Sequence, residues 1–472
     1  MQYYSRLSQL MTGIATISLG LLTFSPVRAS DLLLVGGAWE YPATGDPYGT
    51  SMYDVVVQKG GGERNAIIRI FTTASGSGES AQRNGGFWVD DFLDLYDQRY
   101  PGVTPNVEWV EFHIDNCAGL KNQSSSTVIN QISESTAIVF GGGDQSLITE
   151  CFFNEDAVTQ TRTTTPVYDA LVDKFTNDNI IIAGTSAGTA VQSGIPMITE
   201  GESYQALLES PIALVGTPPI SRELYYNPLG GLGLFPYATL DTHFSERGRQ
   251  GRIIRLAAAT NMGLAIGIDE NTGLLVTDVG GVNESAKVLG ENGVNIFNLS
   301  NAVVNSEGGY FGIEEVSFSY LTEGDFYNFR SNIASFPSKT VLACDPSQTV
   351  SPSQDIFSYR STPGEGGNRD NPREFVNVAL ALTESCDVTT QGRSFETNPV
   401  AFEVFMTKEA NFQGYSGVDS QGETRISLNN LAISIQSDQE TTSVPESNPA
   451  ISLLGLGLLG MVVKTVKKIA KY

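Results

Sequence analysis

The stretch Asn179–Gln192 (NIIIAGTSAGTAVQ) joins an apolar run to a turn of small residues. Three successive isoleucines in the run favour a strand that is buried on both faces. The turn Gly184-Thr185-Ser186-Ala187-Gly188 has the Gly-x-Ser-x-Gly pattern, in which a sharp strand-to-helix turn exposes a serine hydroxyl. The alternative interpretation of this short pattern is a plain glycine turn. The stretch predicts a strand, a turn and a helix, with Ser186 as a candidate nucleophile.

Three earlier apolar runs have the same sequence pattern as this predicted strand. Asp31–Val35, Ala66–Phe71 and Thr136–Phe140 each end in glycine or other small residues. Continuous apolar strands of this kind predict an α/β fold with a largely parallel sheet and helices on both faces. In such sheets the ligand site lies beyond the carboxyl ends of the strands. We therefore expect the glycine loop Gly141–Gln145 to lie at the same edge as Ser186.

The composition of the 472-residue chain is that of a folded, acidic protein. Hydrophobic residues make up 40% of it, which is enough for a sizeable core. The net charge is -24, from 52 acidic and 28 basic residues. Because nucleic-acid-binding proteins normally carry a basic surface, this balance argues against a nucleic-acid partner.

The first residues have the pattern of an export signal. Arg6 supplies the positive start, Leu10–Phe24 is an apolar run, and Val27-Arg28-Ala29 provides a small-residue cleavage site. A membrane anchor is the alternative, although the run is shorter than the roughly 20 residues that a spanning helix needs. The pattern predicts an exported protein of the periplasm, the cell surface or the extracellular space.

The C-terminal residues form a second targeting pattern. Val444-Pro445-Glu446 precedes an apolar run, Ala450–Val463, and four lysines follow this run: Lys464, Lys467, Lys468 and Lys471. A short apolar segment with a basic end is a membrane-seeking segment with a cytoplasmic stop. It resembles the PEP-CTERM sorting signal, which implies an exosortase-type processing enzyme as a partner; Ser447 stands where a second proline is usual. A plain C-terminal anchor is the alternative.

Four cysteines in an exported chain permit two disulfides. The pairing that is local in the sequence is Cys117 with Cys151 and Cys344 with Cys386. Free buried thiols are the alternative. The spacing of these cysteines resembles no metal site, so we expect neither a metal nor an organic cofactor.

A serine nucleophile needs a base, and the chain has only two histidines. His113 follows an apolar stretch and can be structural. His243 lies where an apolar stretch gives way to a predicted helix, so we favour it as the base. The acid that orients a catalytic histidine can be Asp241 or Glu270. Sequence spacing leaves both candidates open.

Four motifs occur in order along the chain, each at a predicted strand end. The motifs are Phe140–Gln145 (FGGGDQ), Gly184–Gly188 (GTSAG), Asp241–Arg252 (DTHFSERGRQGR) and Gly267–Thr272 (GIDENT). In these motifs, and over about residues 31–329, the chain resembles the cyanophycinase and aspartyl dipeptidase family of serine peptidases.

The resemblance implies a catalytic site and a fold. It implies a Ser186, His243 and Glu270 triad on a fold like that of class I glutamine amidotransferases, which is flavodoxin-like. Because serine replaces the cysteine usual in those enzymes, amidotransfer is disfavoured. The resemblance also implies an oxyanion hole from the backbone N–H groups of Gly142, Gly143 and Ala187.

Substrate recognition follows from the same resemblance. It implies contacts to an aspartyl unit of a peptide substrate from Gln145, Asp241, Thr242, Arg249 and Arg252. Arginine suits this role because its planar fork pairs with a carboxylate. The alternative for the arginines is an ion-paired helix face. Thr242 stands where cyanophycinases commonly have glutamine, which weakens the case for cyanophycin itself.

These features divide the chain into five parts and leave two other functions open. One is a surface or matrix binding protein on an inactive peptidase scaffold; the other is an esterase with an acid between Ser186 and His243. A homodimer is a possible assembly. The parts are a signal peptide (1–29), a cyanophycinase-like catalytic domain (30–330), a linker and small C-terminal accessory region (331–435), a polar spacer (436–448) and a sorting tail (449–472).

Overall fold

The computed structural model describes residues 30–306, 309–359 and 372–439. The predicted signal peptide 1–29 and the predicted sorting tail 449–472, together with most of the predicted spacer 436–448, lie outside the described residues. The described chain is a mixed α/β structure with two nine-stranded sheets and flanking helices. Among the described helices, none is both long and apolar enough to cross a membrane.

The helices and strands follow one another along the whole described chain. The strands are β1 Asp31–Val35, β2 Ile67–Phe71, β3 Asn106–Trp109, β4 Ala137–Phe140, β5 Phe153–Asp156, β6 Thr161–Thr164, β7 Ile181–Thr185, β8 Met197–Glu200, β9 Ile212–Ala213, β10 Tyr225–Asn227, β11 Thr239–Thr242, β12 Leu264–Ile268, β13 Thr272–Thr277, β14 Ser285–Gly290, β15 Gly293–Asn298, β16 Val303–Asn305, β17 Gly312–Thr322, β18 Phe326–Asn328, β19 Ile333–Ser335, β20 Thr340–Val341, β21 Thr389–Arg393, β22 Phe402–Val418 and β23 Thr424–Ser437. The helices are α1 Pro47–Lys59, α2 Gly78–Arg99, α3 Cys117–Leu120, α4 Thr127–Glu134, α5 Gln145–Phe152, α6 Pro166–Asn177, α7 Ala187–Ala190, α8 Ser203–Leu208, α9 Gln250–Ala259 and α10 Glu374–Glu384, with 3-10 turns at Pro42–Thr44 and Ser245–Arg247.

The first sheet has the order β19-β18-β14-β13-β1-β7-β4-β2-β3. Its strands β1, β7, β4, β2 and β3 are parallel, and the other four are antiparallel. In β1, Leu32 and Leu34 belong to one core cluster and Leu33 and Val35 to another. Both faces of this strand are therefore buried, as its unbroken apolar sequence predicts.

The second sheet differs from the prediction of a largely parallel structure. Its main path is β11-β12-β15-β17-β23-β22-β20, with β16 and β21 attached, and only β11 and β12 pair in parallel. Parallel strands need long crossover connections, whereas antiparallel strands can follow one another through short turns. The glycine-rich turns after residue 272 favour the second arrangement, and the parallel prediction therefore holds for only part of the chain.

Among the described residues of 331–435, β20, β21, β22 and most of β23 belong to the second sheet, β19 belongs to the first sheet, and α10 packs on the core of the second sheet. The long hairpin β22–β23 pairs with β17 through β23. Phe375 of α10 packs edge-on against Phe318, which stacks on Phe297 of β15. This region thus shares a core with strands of the preceding part of the chain.

Both disulfides that the sequence predicted are present. Cys117 is bonded to Cys151 and joins α3 to α5, and Cys344 is bonded to Cys386. The alternative of free thiols is therefore wrong.

Candidate active site

Ser186 lies on a strained turn between β7 and α7. Its backbone angles are φ 52° and ψ -118°, outside the regions that residues other than glycine favour. The flanking glycines explain how the chain tolerates this turn. A Cβ atom on Gly184 would overlap the Gly188 carbonyl, and one on Gly188 would overlap the Phe140 carbonyl. The observed strand ends at Thr185, directly before the serine, and the turn has the geometry of a nucleophile elbow.

His243 follows β11, the first strand of the second sheet. Its backbone φ is 46°, and its N–H donates to the Gly36 carbonyl at 2.6 Å. The loop after β1 packs directly against the imidazole, because a Cβ atom on Gly37 would overlap the ring. The first sheet therefore supports the histidine that the second sheet presents.

A continuous chain of hydrogen bonds joins three of the predicted residues. His243 Nε2 lies 2.8 Å from Ser186 Oγ, and His243 Nδ1 lies 2.8 Å from Glu270 Oε1. Glu270 follows β12, the neighbour of β11. With Nδ1 protonated toward the carboxylate, Nε2 is free to accept the serine proton. Chemically, this arrangement can activate the hydroxyl.

The surroundings of His243 favour its neutral form. Burial lowers the pKa of the imidazole, and the positive charges of Arg247 and Arg249 lower it further. The hydrogen bond to Glu270 acts in the opposite direction, but the pKa remains below its ordinary value. His243 is therefore an available proton acceptor at neutral pH.

Asp241, the other candidate acid, forms ion pairs with two arginines. Arg252 donates from Nε to Oδ2 at 2.8 Å and from Nη2 to Oδ1 at 2.7 Å, and Arg249 reaches Oδ1 at 3.1 Å. Burial alone would raise the pKa of Asp241, but the Arg252 and Arg249 charges hold it below its ordinary value. The acid in contact with His243 is Glu270.

Most of the residues predicted to bind substrate are already hydrogen-bonded within the protein, and one of them, Arg249, has N–H groups left for a ligand. Arg252 is buried and also donates to the Gly201 carbonyl, so its guanidinium serves an internal ion pair. Gln145 donates from its amide to the Ile198 carbonyl of β8 at 2.8 Å. Thr242 is buried, and its carbonyl accepts from Arg249 at 2.7 Å. Arg249 has further N–H groups and is 17% exposed.

Sequence reasoning missed Arg247 as a candidate binding residue. Its side chain is partly exposed, and no hydrogen bond or ion pair of its guanidinium occurs within the described part of the chain. Its charge reaches both His243 and Arg249. The signal was in the sequence, because Arg247-Gly248-Arg249 brings two cations close to the histidine.

The glycine loop lies beside the serine, as its predicted position at the sheet edge requires. A Cβ atom on Gly142 would stand 3.3 Å from Ser186 Cβ. Gly143 has φ 139° and packs so closely on Ala74 that a side chain there would overlap its carbonyl. Ala187 begins α7 directly after Ser186. In the described ranges, no group of three or more His, Cys, Asp or Glu side chains is arranged to hold a metal ion.

Comparison with known proteins supports the same family as the motifs. The chain is similar to cyanophycinases. It is 29% identical to the cyanophycinase of Synechococcus elongatus over 213 residues, which are 43% of this chain and 56% of that protein. It is 34% identical to the cyanophycinase of Nostoc sp. strain PCC 7120 over 148 residues, which are 31% of this chain and 41% of that protein.

These matches are partial. The chain spans about half the length of the curated relatives it matches. No family model matches the chain. A solved structure from Listeria monocytogenes EGD-e, described as a peptidase E protein, covers 52% of this chain and 94% of its own, at 10% identity and a TM-score of 0.31.

Proposed function

We propose that this protein is a serine peptidase that works through an acyl-enzyme, with Ser186 as nucleophile, His243 as base and Glu270 as the acid that orients it. The observation that carries the proposal is the chain of two 2.8 Å contacts from Ser186 through His243 to Glu270. The strained turn at Ser186 supports it, since backbone strain of this kind clusters at functional sites. The similarity to cyanophycinases supports the reaction class.

In the proposed reaction, Ser186 Oγ attacks the carbonyl carbon of the substrate while His243 Nε2 accepts the hydroxyl proton. The backbone N–H groups of Gly142, Gly143 and Ala187 are the proposed donors to the oxyanion; losing one such donor typically costs about 3 kcal/mol of barrier. His243 then gives its proton to the leaving amine, and the C–N bond breaks. A water molecule then attacks the acyl-serine ester while His243 Nε2 accepts its proton. The ester bond breaks, and His243 returns the proton to Ser186 Oγ.

The proposed substrate is an aspartyl or isoaspartyl peptide, including β-Asp-Arg units. Arg247 and Arg249 would receive the substrate carboxylate, whereas Arg252 would hold Asp241 and so fix Arg249. Two guanidinium groups share the single Asp241 carboxylate, which leaves a surplus positive charge beside His243. Burial and the charge of Arg252 lower the pKa of Arg249, so an anionic ligand would be favoured there.

The fold that we propose for the parallel half of the first sheet is that of class I glutamine amidotransferases. We further propose that the protein is exported through residues 1–29 and processed at its C-terminal tail by an exosortase-type enzyme. The support for export is the sequence pattern of the two ends.

Labelling with a fluorophosphonate tests the nucleophile. We expect the wild-type protein to be labelled and Ser186→Ala, with an unchanged circular dichroism spectrum, to be unlabelled. A folded wild-type protein that resists labelling would contradict the proposal and favour a binding protein on an inactive scaffold.

Hydrolysis assays test the substrate class. A β-Asp-Arg polymer, an isoaspartyl dipeptide and an α-aspartyl dipeptide should be compared, with a neutral dipeptide as control. Arg247→Ala should raise KM for the aspartyl substrates while fluorophosphonate labelling at pH 8 stays unchanged. An equal loss for the neutral dipeptide would overturn the carboxylate role of Arg247.

A further inference from the structure

Arg373, from the region beyond residue 331, reaches the neighbourhood of the candidate active site. It stands just before α10, with φ 71°, and its N–H donates to the Ser245 carbonyl at 3.0 Å. Ser245 is two residues beyond His243. The backbone at this point therefore ties α10 to the segment that carries the histidine.

The Arg373 guanidinium lies between two buried carboxylates. Its Nη1 is 3.1 Å from Asp269 Oδ2 and also contacts Glu246 Oε1, while Nη2 donates to the Tyr320 hydroxyl at 2.7 Å. The Tyr320 hydroxyl in turn donates to Asp269 Oδ2 at 2.9 Å. The Asp269 side chain is 0% exposed and that of Glu246 is 3% exposed, so water screens neither charge.

Two buried carboxylates that contact the same guanidinium nitrogen need that positive charge if both are to stay ionised. Burial raises the pKa of Glu246 to about 7, and the Asp269 charge contributes, whereas Arg373 acts to lower it. Without Arg373, the pair would lose its cation, and one carboxylate would take up a proton or turn toward water. Removing one member of a buried ion pair leaves an uncompensated charge and is strongly destabilising locally.

The same two carboxylates hold the backbone that carries the triad. Glu246 Oε2 accepts the backbone N–H of Glu270 at 3.1 Å. Asp269 Oδ1 accepts the backbone N–H of Ser245 at 3.0 Å and the side-chain amide of Asn295 at 2.9 Å. One hydrogen bond thus fixes the acid, and the other fixes the segment after the base.

We infer that Arg373 is a positioning residue: by bridging Glu246 and Asp269 it fixes the loop that presents Glu270 to His243. Arg373 and the α10 segment that carries it are then required for the geometry of the site. This inference deepens the proposed function and rests on it for its effect on catalysis, but its effect on the contact between His243 and Glu270 can be measured without any substrate.

The first measurement is the pKa of His243 by NMR of histidine-labelled protein. The chain has only two histidines, so His113 serves as an internal reference. Among the described residues, the groups that face the His243 ring are Glu270, Arg247, Arg249 and the Ser186 hydroxyl. In Arg373→Met we expect the pKa of His243 to fall, because the hydrogen bond to Glu270 that raises it is weakened.

The second measurement is the rate of fluorophosphonate labelling. A displacement of about 1 Å at the site typically costs about 100-fold, and we expect a loss of that order in Arg373→Met. Arg425→Met is the matched control, because Arg425 lies in the same C-terminal region, pairs with Asp419 at 2.7 Å and is 22% exposed against 21% for Arg373. It should leave both the pKa and the labelling rate unchanged.

A second variant separates positioning from a loss of folding. Glu246→Gln keeps an oxygen acceptor for the Glu270 N–H but removes the charge that Arg373 neutralises. Glu246→Gln combined with Arg373→Met should therefore recover part of the labelling rate and of the His243 pKa. Arg373→Lys, which keeps the charge but not the fork, should give values between those of wild type and Arg373→Met.

The outcomes distinguish the two proposals. A wild-type protein that is not labelled contradicts the proposed function, while the NMR titration still decides the role of Arg373. A His243 pKa in Arg373→Met that equals that of Arg425→Met, or that rises as it would after a simple loss of positive charge, overturns the positioning role. The positioning role is also overturned if Glu246→Gln combined with Arg373→Met recovers neither the labelling rate nor the His243 pKa.

Discussion

The two large sheets contribute to the candidate site in different ways. The first sheet supplies Ser186 from the end of β7, and its contribution is backbone geometry: a strained turn, close-packed glycines and an adjacent glycine loop. The second sheet supplies His243 and Glu270 from the ends of β11 and β12, and its contribution is buried charge. The position of the candidate nucleophile therefore depends on steric fit. The positions of the candidate base and acid depend on compensated ion pairs and, for His243, also on the packing of Gly37 against the imidazole.

The largest expected effect comes from the acid of the second sheet. Glu270→Gln keeps the shape of the side chain but lets the imidazole adopt the wrong tautomer. We expect fluorophosphonate labelling to slow about 10⁴-fold with the fold unchanged. Retention of normal labelling would break the comparison and point to an acid between Ser186 and His243, as in an esterase of conventional order.

The internal ion pair of the second sheet should matter mainly for stability. Asp241→Asn leaves Arg252 and Arg249 buried without their carboxylate, and we expect a loss of about 3–5 kcal/mol in the free energy of unfolding. Urea denaturation measures it. Asp438→Asn is the control, since its pair with Arg393 is 36–39% exposed and should contribute at most about 1 kcal/mol. Equal losses would contradict the importance of burial.

Steric fit between the sheets can be tested at Gly37. Gly37→Ala adds a methyl group where the His243 ring lies, and we expect labelling to fall about 100-fold through displacement of the base. Gly45→Ala is the matched control: Gly45 also has a positive φ, but a Cβ atom there meets nothing within 4 Å. If both variants lose activity equally, backbone strain rather than contact with His243 is responsible.

The smallest effect concerns the pH dependence of labelling. Only neutral His243 can accept the serine proton, so the rate should rise with pH through an inflection below the ordinary histidine pKa of about 6.5. Arg247→Ala removes a positive charge that disfavours protonation and should move this inflection upward. A labelling rate measured from pH 5 to 8 tests both statements, and an inflection above 6.5 in the wild type would contradict them.

Local patterns predicted the parts of this molecule that depend on neighbouring residues. The apolar run Asp31–Val35 is observed as β1 with the same bounds, and Ser186 occupies the turn that Gly184 and Gly188 permit. The cysteine pairing was also predicted correctly. The prediction of a mainly parallel sheet failed for the second sheet, because pairing between distant strands leaves little trace in a single segment.

The sequence by itself determined the strand-turn-helix at Ser186 and limited the base to two histidines, because local sterics and residue chemistry act within a few positions. Sequence spacing left Glu270 and Asp241 open as the candidate acid, and only the family resemblance favoured Glu270. The tertiary structure places the Glu270 carboxylate 2.8 Å from His243 Nδ1 and pairs Asp241 with two arginines. It also brought Arg373 to Asp269 across about a hundred residues of sequence. Such contacts depend on which strands pair and which charges are buried together, and these are properties of the folded chain.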